Sequence, residues 1–402
     1  MTGGCGTLAP EVLPADRQPV IVAARRTPVC RTNGPLGRLR AHQLLAPVLR
    51  ELLADTGTEP AAVDDVVIGN AVGGGGNVAR LALLEAGLPV SVPGITVDRQ
   101  CGSGLDAIVL AARLVAAGGS PLFLAGGVES TSTAPLRAHR TDDGGADFYR
   151  RAQFVPADFG DPDMGPAAET VAQRFGISRE RQDSFALASH RRALSAADAG
   201  HFDGELVAVP TTSGTVAADD GPRRGLTPAV MARFPAVFVE GGTVTAGNSC
   251  FDADAASAVV MTSLERAQAM GAADGLVVLG TGTAGVHPEI LGVGAATAAR
   301  DALAGAGRTA AELDFVEFNE AFASQTLACL DQLGIAPEQA NIDGGALALG
   351  HAYGASGAVL VTRLLAQARR AGTPGSLAMA MVSSAGGMGT AALLEYRQLQ
   401  DG

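Results

Sequence analysis

The sequence predicts an α/β protein built from two similar halves, with an insertion in the first half. Three observations predict it: short β-branched runs alternate with longer runs rich in Ala and Leu, one segment pattern occurs in both halves, and residues 131–250 are less regular and rich in polar turns. The 402 residues are 47% hydrophobic and only 17% charged, which excludes a disordered chain and allows a large core.

The predicted elements alternate along the chain. Strands are expected at 19–24, 65–70, 122–127, 276–282, 315–320 and 376–382, and helices at 41–55, 103–117, 166–175, 179–199, 296–305, 320–333 and 354–371. Such alternation is typical of sheets that are covered by helices. The uncharged run 371–394 is interrupted by Pro374 and several glycines, so we expect a buried strand, a turn and a helix there rather than a membrane-spanning helix.

The two halves share a weak internal repeat. In each half a helix leads to a strand that ends in Asn. A glycine-rich turn then follows, and another helix begins directly after it. Asn70 precedes Cys101 by 31 positions, and Asn319 precedes His351 by 32. Two facing copies of one unit would bring Cys101 and His351 close to a shared axis, although any two strand–helix units also look alike at this level of detail.

Charge and cysteine content exclude several classes of protein. The net charge of −12 argues against a nucleic-acid partner, which favours a basic face. The five cysteines, at positions 5, 30, 101, 250 and 329, form no C-x-x-C pair, so neither a zinc site nor a disulfide framework is predicted. Residues 1–19 lack the cationic start and apolar core of a signal peptide. We therefore expect a cytoplasmic protein without a membrane segment or a bound metal.

Cys101 is the first candidate for chemistry. It lies in DRQCGSGLDA, between the short apolar run 95–97 and a predicted helix, and the flanking glycines allow a tight turn and close approach by a substrate. A cysteine at a helix N-terminus has its thiolate favoured by the helix dipole and the free amides, which makes it a better nucleophile. An inert buried cysteine is the alternative.

His351 and Asn319 are the partner candidates. His351 lies in GGALALGHAYGASGA, a glycine-rich apolar turn that opens a helix, where an imidazole can take a thiol proton or donate to a thioester carbonyl. Asn319, at the end of a strand in FVEFNEAFA, can hold a water or an oxyanion through its amide. Taken singly, a structural histidine and a turn-forming asparagine are the alternatives.

Together these segments resemble the thiolase family from about residue 18 to residue 398. The motifs occur in the family's order: VIVAARRTPVCR, GNAVGGGGNVARLALLEAGLPVSVPGITVDRQCGSGLDA, LAGGVESTSTAP, DMGPAAETVAQRFGISRERQDSFALASHRRA, GTVTAGNS, FVEFNEAFA, NIDGGALALGHAYGASGA and SSAGGMGTA. The resemblance implies the thiolase fold, in which two α-β-α-β-α halves form a five-layered structure with an inserted loop domain. It implies a first half at 18–270, including a loop domain at about 131–250, and a second half at 275–398.

The resemblance also implies roles for three residues. Cys101 corresponds to the nucleophile that becomes S-acylated, His351 to the histidine that activates it, and Asn319 to the residue that builds an oxyanion hole with His351 through a water. The expected substrate is an acyl-CoA or a carrier-bound pantetheine thioester, and no further cofactor is expected. The expected assembly is a homodimer or homotetramer, with an acyl carrier protein or a multienzyme as a further partner.

One departure from the family concerns the second catalytic cysteine. The family's C-x-G-G-G-M-G turn reads SSAGGMG here, so that Ser383 replaces the cysteine that removes an α-proton, and Ala385 replaces the first glycine. An alcohol is far too weak an acid to shuttle protons near pH 7, and losing a positioned acid or base costs about 100- to 10,000-fold in rate. Ala385 and Gly386 lie where backbone amides of the family complete a second oxyanion hole.

The expected CoA channel departs as well. The family's AGNASGLND reads AGNSCFDAD, which puts Cys250 at its serine and Phe251 at its first following glycine, where the ring is expected to narrow or redirect the pantetheine tunnel. Arg223 matches an arginine that the family uses near the CoA nucleotide. Tyr353, in place of an aliphatic residue beside His351, is expected to be an acid, a substrate contact or a packing residue.

These observations favour a thiolase-like acyltransferase that forms an S-acyl intermediate on Cys101 and passes the acyl group to a carbon, nitrogen or oxygen acceptor. Two alternatives stay open. One is an ordinary 3-ketoacyl-CoA thiolase or acetyl-CoA C-acetyltransferase in which a water, His351 or Tyr353 takes over the proton work. The other is a non-catalytic protein that binds an acyl thioester or serves as a scaffold for a multienzyme.

Overall fold

The computed structural model describes residues 13–119 and 121–400, so Cys5 and most of the segment 1–19 considered above lie outside the described residues. The strands are β1 (Pro19–Arg26), β2 (Cys30–Arg31), β3 (Asp65–Gly69), β4 (Gly94–Val97), β5 (Phe123–Ser130), β6 (Arg137–Arg140), β7 (Ala146–Tyr149), β8 (Val209–Thr211), β9 (Gly214–Val216), β10 (Ala253–Ser263), β11 (Asp274–Gly285), β12 (Leu313–Phe318), β13 (Leu377–Ser384) and β14 (Met388–Gln398). The α-helices are α1 (Ala41–Thr56), α2 (Val78–Glu85), α3 (Ser103–Ala116), α4 (Met164–Phe175), α5 (Arg179–Asp198), α6 (Pro228–Met231), α7 (Leu264–Ala269), α8 (Gly294–Gly305), α9 (Ala323–Leu333), α10 (Ala346–Leu349) and α11 (Tyr353–Ala371). Short 3₁₀ helices cover Pro60–Ala62, Thr131–Thr133, Ala157–Phe159, Pro288–Val293 and Ala310–Glu312.

One sheet runs through both halves of the chain. Its strand order is β12-β13-β14-β11-β1-β10-β5-β3-β4, and β2 pairs with β10 beside this path. At the centre β1 and β11 are antiparallel, with Val20 opposite Val277. Outward from this pair the halves repeat one pattern, two antiparallel pairings followed by a parallel one, so that β10, β5 and β3 correspond to β14, β13 and β12. The predicted duplication is confirmed.

Helices complete five layers around the sheet. α1 packs on β1, β5 and β10, and α8 packs on β11, β13 and β14. α3 and α11 lie between the two halves of the sheet and contact strands of both. Leu105 and Ile108 of α3 share one buried apolar cluster with Val361 and Leu364 of α11, so the central layer is held by side-chain burial from both halves.

The two central helices approach at backbone distance near their N-terminal ends. A Cβ on Gly104 would lie 2.5 Å from the Gly354 carbonyl oxygen, and a Cβ on Gly357 would lie 2.5 Å from the Leu105 nitrogen. Only glycine fits such an approach. Because Cys101 and His351 each lie two residues before one of these helices, the contact brings the two together.

The segment between β5 and β10 forms the insertion. Its turn-rich stretch 137–163 contains the β6–β7 hairpin, and a second hairpin joins β8 and β9. Its helices α4 and α5 both contact α9 of the second half, and α5 also contacts α10. The insertion therefore packs on the half that carries His351.

Two long strands differ from the sequence prediction. β10 was not predicted, because its sequence ADAASAVVMTS is dominated by small residues at one end. The helix predicted after the turn in 371–394 is wrong, since β14 occupies that place and pairs with both β11 and β13. Its Ala/Leu-rich segment favours a helix, but ladder bonds on both sides override that local preference.

We expect Gly357→Ala to destabilise the fold. Ala normally stabilises a helix interior over Gly by about 1 kcal/mol, but here the methyl group would meet Leu105 of the facing helix. The free energy of unfolding, measured by urea denaturation, should fall by about 1–3 kcal/mol. Gly204→Ala is the control, because a Cβ there meets no atom within 4 Å. Equal stability of the two variants would contradict the close approach of the helices.

Candidate active site

Cys101 lies in the tight turn between β4 and α3. Gln100, three residues after the end of β4, has a left-handed φ of 52°. Ser103 Oγ donates to the Gln100 carbonyl at 2.6 Å and accepts from the Arg99 N–H at 2.8 Å. These bonds hold the turn, so that the thiol is presented just before the first turn of α3.

His351 lies in an extended segment just before α11. Its N–H donates to the Phe251 carbonyl at 2.9 Å, and its carbonyl accepts from the Ala253 N–H at 3.2 Å. The ring Nδ1 lies 2.7 Å from Ser356 Oγ, whereas the buried Nε2 has no hydrogen-bond partner in the part of the chain that the structure describes. The ring is therefore fixed, with one nitrogen left for chemistry.

Cys101 and His351 line the same cavity although they come from opposite halves. The cavity has a volume of about 250 Å³. Its polar lining includes Cys250, Asp252, Tyr353, Ser383 and Ser384, and its apolar lining includes Met164, Ala168, Phe238, Leu291 and Phe322. An apolar pocket with a few convergent polar groups is typical of a small-molecule site.

Burial sets the protonation of both groups. It raises the pKa of the Cys101 thiol to about 12, although hydrogen bonds from the backbone N–H groups of Ala385 and of Cys101 itself lower it. Burial also lowers the pKa of His351 to about 4. Near neutral pH the resting site therefore holds a thiol and a neutral imidazole. The backbone N–H groups act in the direction predicted for the start of α3, but desolvation outweighs them.

Asn319 does not line this cavity. It lies just after β12 and lines an adjoining cavity of about 20 Å³ together with Ser356, the partner of His351. Its Nδ2 is buried and has no hydrogen-bond partner among residues 13–119 and 121–400. A cavity of this size holds about one water molecule. Asn319 is thus connected to the site through the residue that holds the histidine.

The hydroxyl of Ser383 is occupied by backbone contacts. Its Oγ donates to the Gly292 carbonyl at 2.7 Å and accepts from the Ala295 N–H at 3.0 Å. The side chain lines the cavity, but its proton is committed to a carbonyl. Ala385 also lines the cavity, and its N–H bonds to the Cys101 sulfur, whereas Gly386, with a φ of 82°, is not among the lining residues.

Of the four residues expected to bind substrate, two line the cavity and two do not. Cys250 and Tyr353 line the cavity. Phe251 is not among its lining residues, and its ring packs where side chains on Gly221 and Gly350 would lie. That it narrows or redirects a pantetheine tunnel stays a prediction.

Arg223 lies outside this cavity as well. It is exposed, and its backbone N–H donates to His190 Nδ1 at 3.2 Å. This position neither supports nor contradicts a contact with the CoA nucleotide, which therefore stays a prediction.

Three lining or supporting residues were missed by sequence reasoning. Ser356 follows His351 by five positions, so its place on the first turns of α11 was a usable signal. Asp252 stands in the AGNSCFDAD segment beside Cys250 and Phe251, and its acidic side chain at that place was a usable signal. The buried Ser384 Oγ has no hydrogen-bond partner within the described ranges, and nothing in its sequence context indicates that it faces the nucleophile turn.

The described residues show neither a metal cluster nor a membrane span. Within 13–119 and 121–400 no three His, Cys, Asp or Glu side chains are grouped to hold a metal ion. None of the helices in these ranges has both the length and the hydrophobicity to cross a bilayer. Cys30, Cys101, Cys250 and Cys329 are free cysteines.

Comparison with known proteins identifies relatives over nearly the whole chain. Residues 19–265 match the family model of the thiolase N-terminal domain, and residues 273–396 match that of the thiolase C-terminal domain. The Bacillus subtilis protein named "Putative acetyl-CoA C-acetyltransferase YhfS" is 42% identical over 378 residues, 94% of this chain and 98% of YhfS. The Staphylococcus aureus protein VraB, named in the same way, is 40% identical over 94% of this chain and 98% of its own length.

Solved structures agree. The Bacillus anthracis acetyl-CoA acetyltransferase superposes with a TM-score of 0.86 at 32% identity, covering 94% of this chain and 99% of that one. Human mitochondrial 3-ketoacyl-CoA thiolase superposes with a TM-score of 0.88 at 32% identity, covering 95% and 99%. The matches confirm the resemblance read from the sequence, and the chain belongs to the thiolase family of acyltransferases.

Proposed function

We propose that this protein transfers an acyl group from a thioester to an acceptor through an S-acyl intermediate on Cys101. One observation carries the proposal: the Cys101 thiol and the unpartnered Nε2 of His351 line one cavity. A nucleophile beside a general base is the arrangement that covalent acyl transfer needs. The N–H of Ala385, which bonds to the sulfur, is a donor already placed at the reacting centre.

In the acylation step the thiol and the neutral imidazole act together. Nε2 of His351 takes the Cys101 proton while the sulfur attacks the thioester carbonyl, and the imidazolium then gives that proton to the departing thiol. This role requires the tautomer in which Nδ1–H donates to Ser356 Oγ, 2.7 Å away. Ser356 is therefore a positioning residue for the base.

A second acyl thioester is the acceptor that the relatives favour. YhfS and VraB are named as acetyl-CoA C-acetyltransferases, which transfer to carbon, and one structural neighbour is a 3-ketoacyl-CoA thiolase. Ser383 cannot supply the proton transfer that such a reaction needs, because its hydroxyl is bonded to Gly292 and Ala295. Nitrogen and oxygen acceptors are the alternatives to a carbon acceptor. The acyl donor is either an acyl-CoA or a carrier-bound thioester.

Cys101→Ala should abolish covalent acylation. After incubation with acyl-CoA or carrier-bound donors, intact-mass spectrometry should show one acyl adduct on the wild-type chain and none on the variant, because the attacking sulfur is gone. Cys30→Ala, at a buried cysteine outside the cavity, is the matched control and should keep the adduct. Wild-type protein that stays unmodified by every donor, or an adduct that persists in Cys101→Ala, would contradict the proposal.

The alkylation of resting Cys101 should depend steeply on pH. With the pKa of the thiol near 12, the thiolate fraction rises about tenfold per pH unit below that value, so the rate of reaction with iodoacetamide should climb from pH 6 to pH 9 without a plateau. Mass spectrometry of Cys101 provides the rate, and a small-molecule thiol provides the reference profile. A rate that is constant from pH 5 to pH 8 would indicate a preformed thiolate–imidazolium pair and would contradict the neutral resting site.

A further inference from the structure

We propose that the carboxylate of Asp252, held by Tyr353, removes the α-proton of the acceptor thioester in place of the thiol that Ser383 has replaced. The proposal rests on the proposed function, since it applies to a carbon acceptor. It names the residue that makes carbon–carbon bond formation feasible in a chain without the second cysteine.

The lining of the cavity leaves few candidates for this proton transfer. Of its titratable side chains, Cys101 carries the acyl group and His351 serves the sulfur. Cys250, Asp252 and Tyr353 remain, and Asp252 is the one carboxylate among the lining residues that the structure describes. Carboxylates are established general bases toward carbons next to a carbonyl.

The backbone fixes Asp252 beside His351. The two residues face each other in a parallel β-bridge, and the hydrogen bonds of His351 go to the residues on either side of Asp252, with Phe251 accepting at 2.9 Å and Ala253 donating at 3.2 Å. Any change in the position of one residue is therefore transmitted to the other. A base placed in this way shares the cavity with the histidine that serves Cys101.

Tyr353 orients the carboxylate. Its Oη donates to Asp252 Oδ1 at 2.5 Å, and its ring stands edge-on to the His351 ring with the centroids 5.1 Å apart. The second oxygen, Oδ2, has no hydrogen-bond partner in the described part of the chain. One carboxylate oxygen is thus anchored and the other is left to accept a proton.

The charge of Asp252 acts on both thiols of the site. Burial is the largest cause that raises the pKa of Cys250, and the negative charge of Asp252 is the second. The same charge contributes to the raised pKa of Cys101. Asp252 and Cys101, the residue to which the acyl group would be attached, line the same cavity. Cys250 is the weaker candidate because burial and this neighbouring charge both keep its thiol protonated.

The proposed step balances as follows. Oδ2 of Asp252 takes one α-proton of the acceptor, and the electron pair of that C–H bond forms the new carbon–carbon bond to the S-acyl carbonyl of Cys101. The bond between that carbonyl and the Cys101 sulfur breaks, and the sulfur leaves with its electron pair. The proton on Asp252 returns to the sulfur, through His351 or directly, which restores the thiol and releases a 3-ketoacyl thioester.

Asp252 can also exchange its proton with solvent. It is exposed, and together with Tyr353 it lines both the cavity and a second, more open groove of about 610 Å³. A proton removed from the acceptor would therefore be replaced by one from water. In D₂O this exchange would label the α-carbon of a bound thioester.

The test is α-proton exchange with acetyl-CoA in D₂O. Wild-type protein should incorporate deuterium into the acetyl group, measured by mass spectrometry, and Asp252→Asn should lower the rate at least about 100-fold. Intact mass should show that Asp252→Asn still acylates Cys101, because the asparagine oxygen can still accept from Tyr353. Asp142→Asn, in the exposed β6–β7 turn, is the control and should exchange at the wild-type rate.

Several outcomes would overturn the proposal. The first is that the wild-type protein exchanges no α-proton, and the second is that Asp252→Asn exchanges at the wild-type rate. The third is that Asp252→Asn loses acylation together with exchange. The fourth is that exchange depends on Cys250 while Asp252→Asn is unaffected. Absence of any acyl adduct on wild-type Cys101 would instead defeat the proposed function. The two failures are therefore distinguishable.

Discussion

The contact between α3 and α11 is the constraint on which the site depends. Glycines allow these helices to approach at backbone distance, and each helix is preceded by one reactive residue. The buried carboxylate of Glu129 also ties α11 to the first half, because it accepts from the Ala71 N–H at 2.9 Å and from the Gly354 N–H of α11 at 3.0 Å. The duplication thus builds one site from two equivalent turns that have diverged in chemistry.

Burial decides the electrostatics of the two reactive groups. Desolvation favours the neutral forms of the Cys101 thiol and the His351 imidazole. Buried polar groups without partners among the described residues, Asn319 Nδ2 and Ser384 Oγ, belong to residues that line this cavity or a small second one. The hydrogen-bonded pair of Asp252 and Tyr353 is the charged exception, and both residues also line the more open groove.

Much of this architecture follows from the sequence, because the similar spacings from Asn70 to Cys101 and from Asn319 to His351, together with the order of the family motifs, predict the duplication. What does not follow is the direction of side chains. The Phe251 ring packs against Gly221 and Gly350, and Asn319 lines a second cavity rather than the one that Cys101 lines, since both depend on how the second half packs around His351. The strand β14 was not predicted, because the local helix and strand propensities of its residues do not report that it pairs with both β11 and β13. The hydrogen bond that Tyr353 donates to Asp252 depends on the tertiary fold, and the sequence does not predict it.

A crystal structure of the protein trapped with an acyl thioester tests the central claim most directly. Density for the acyl group should be continuous with Cys101 Sγ, and the carbonyl should lie within hydrogen-bond distance of the Ala385 N–H, with Nε2 of His351 facing the same sulfur. An acyl group on any other side chain, or an imidazole turned into a separate cavity, would contradict the account.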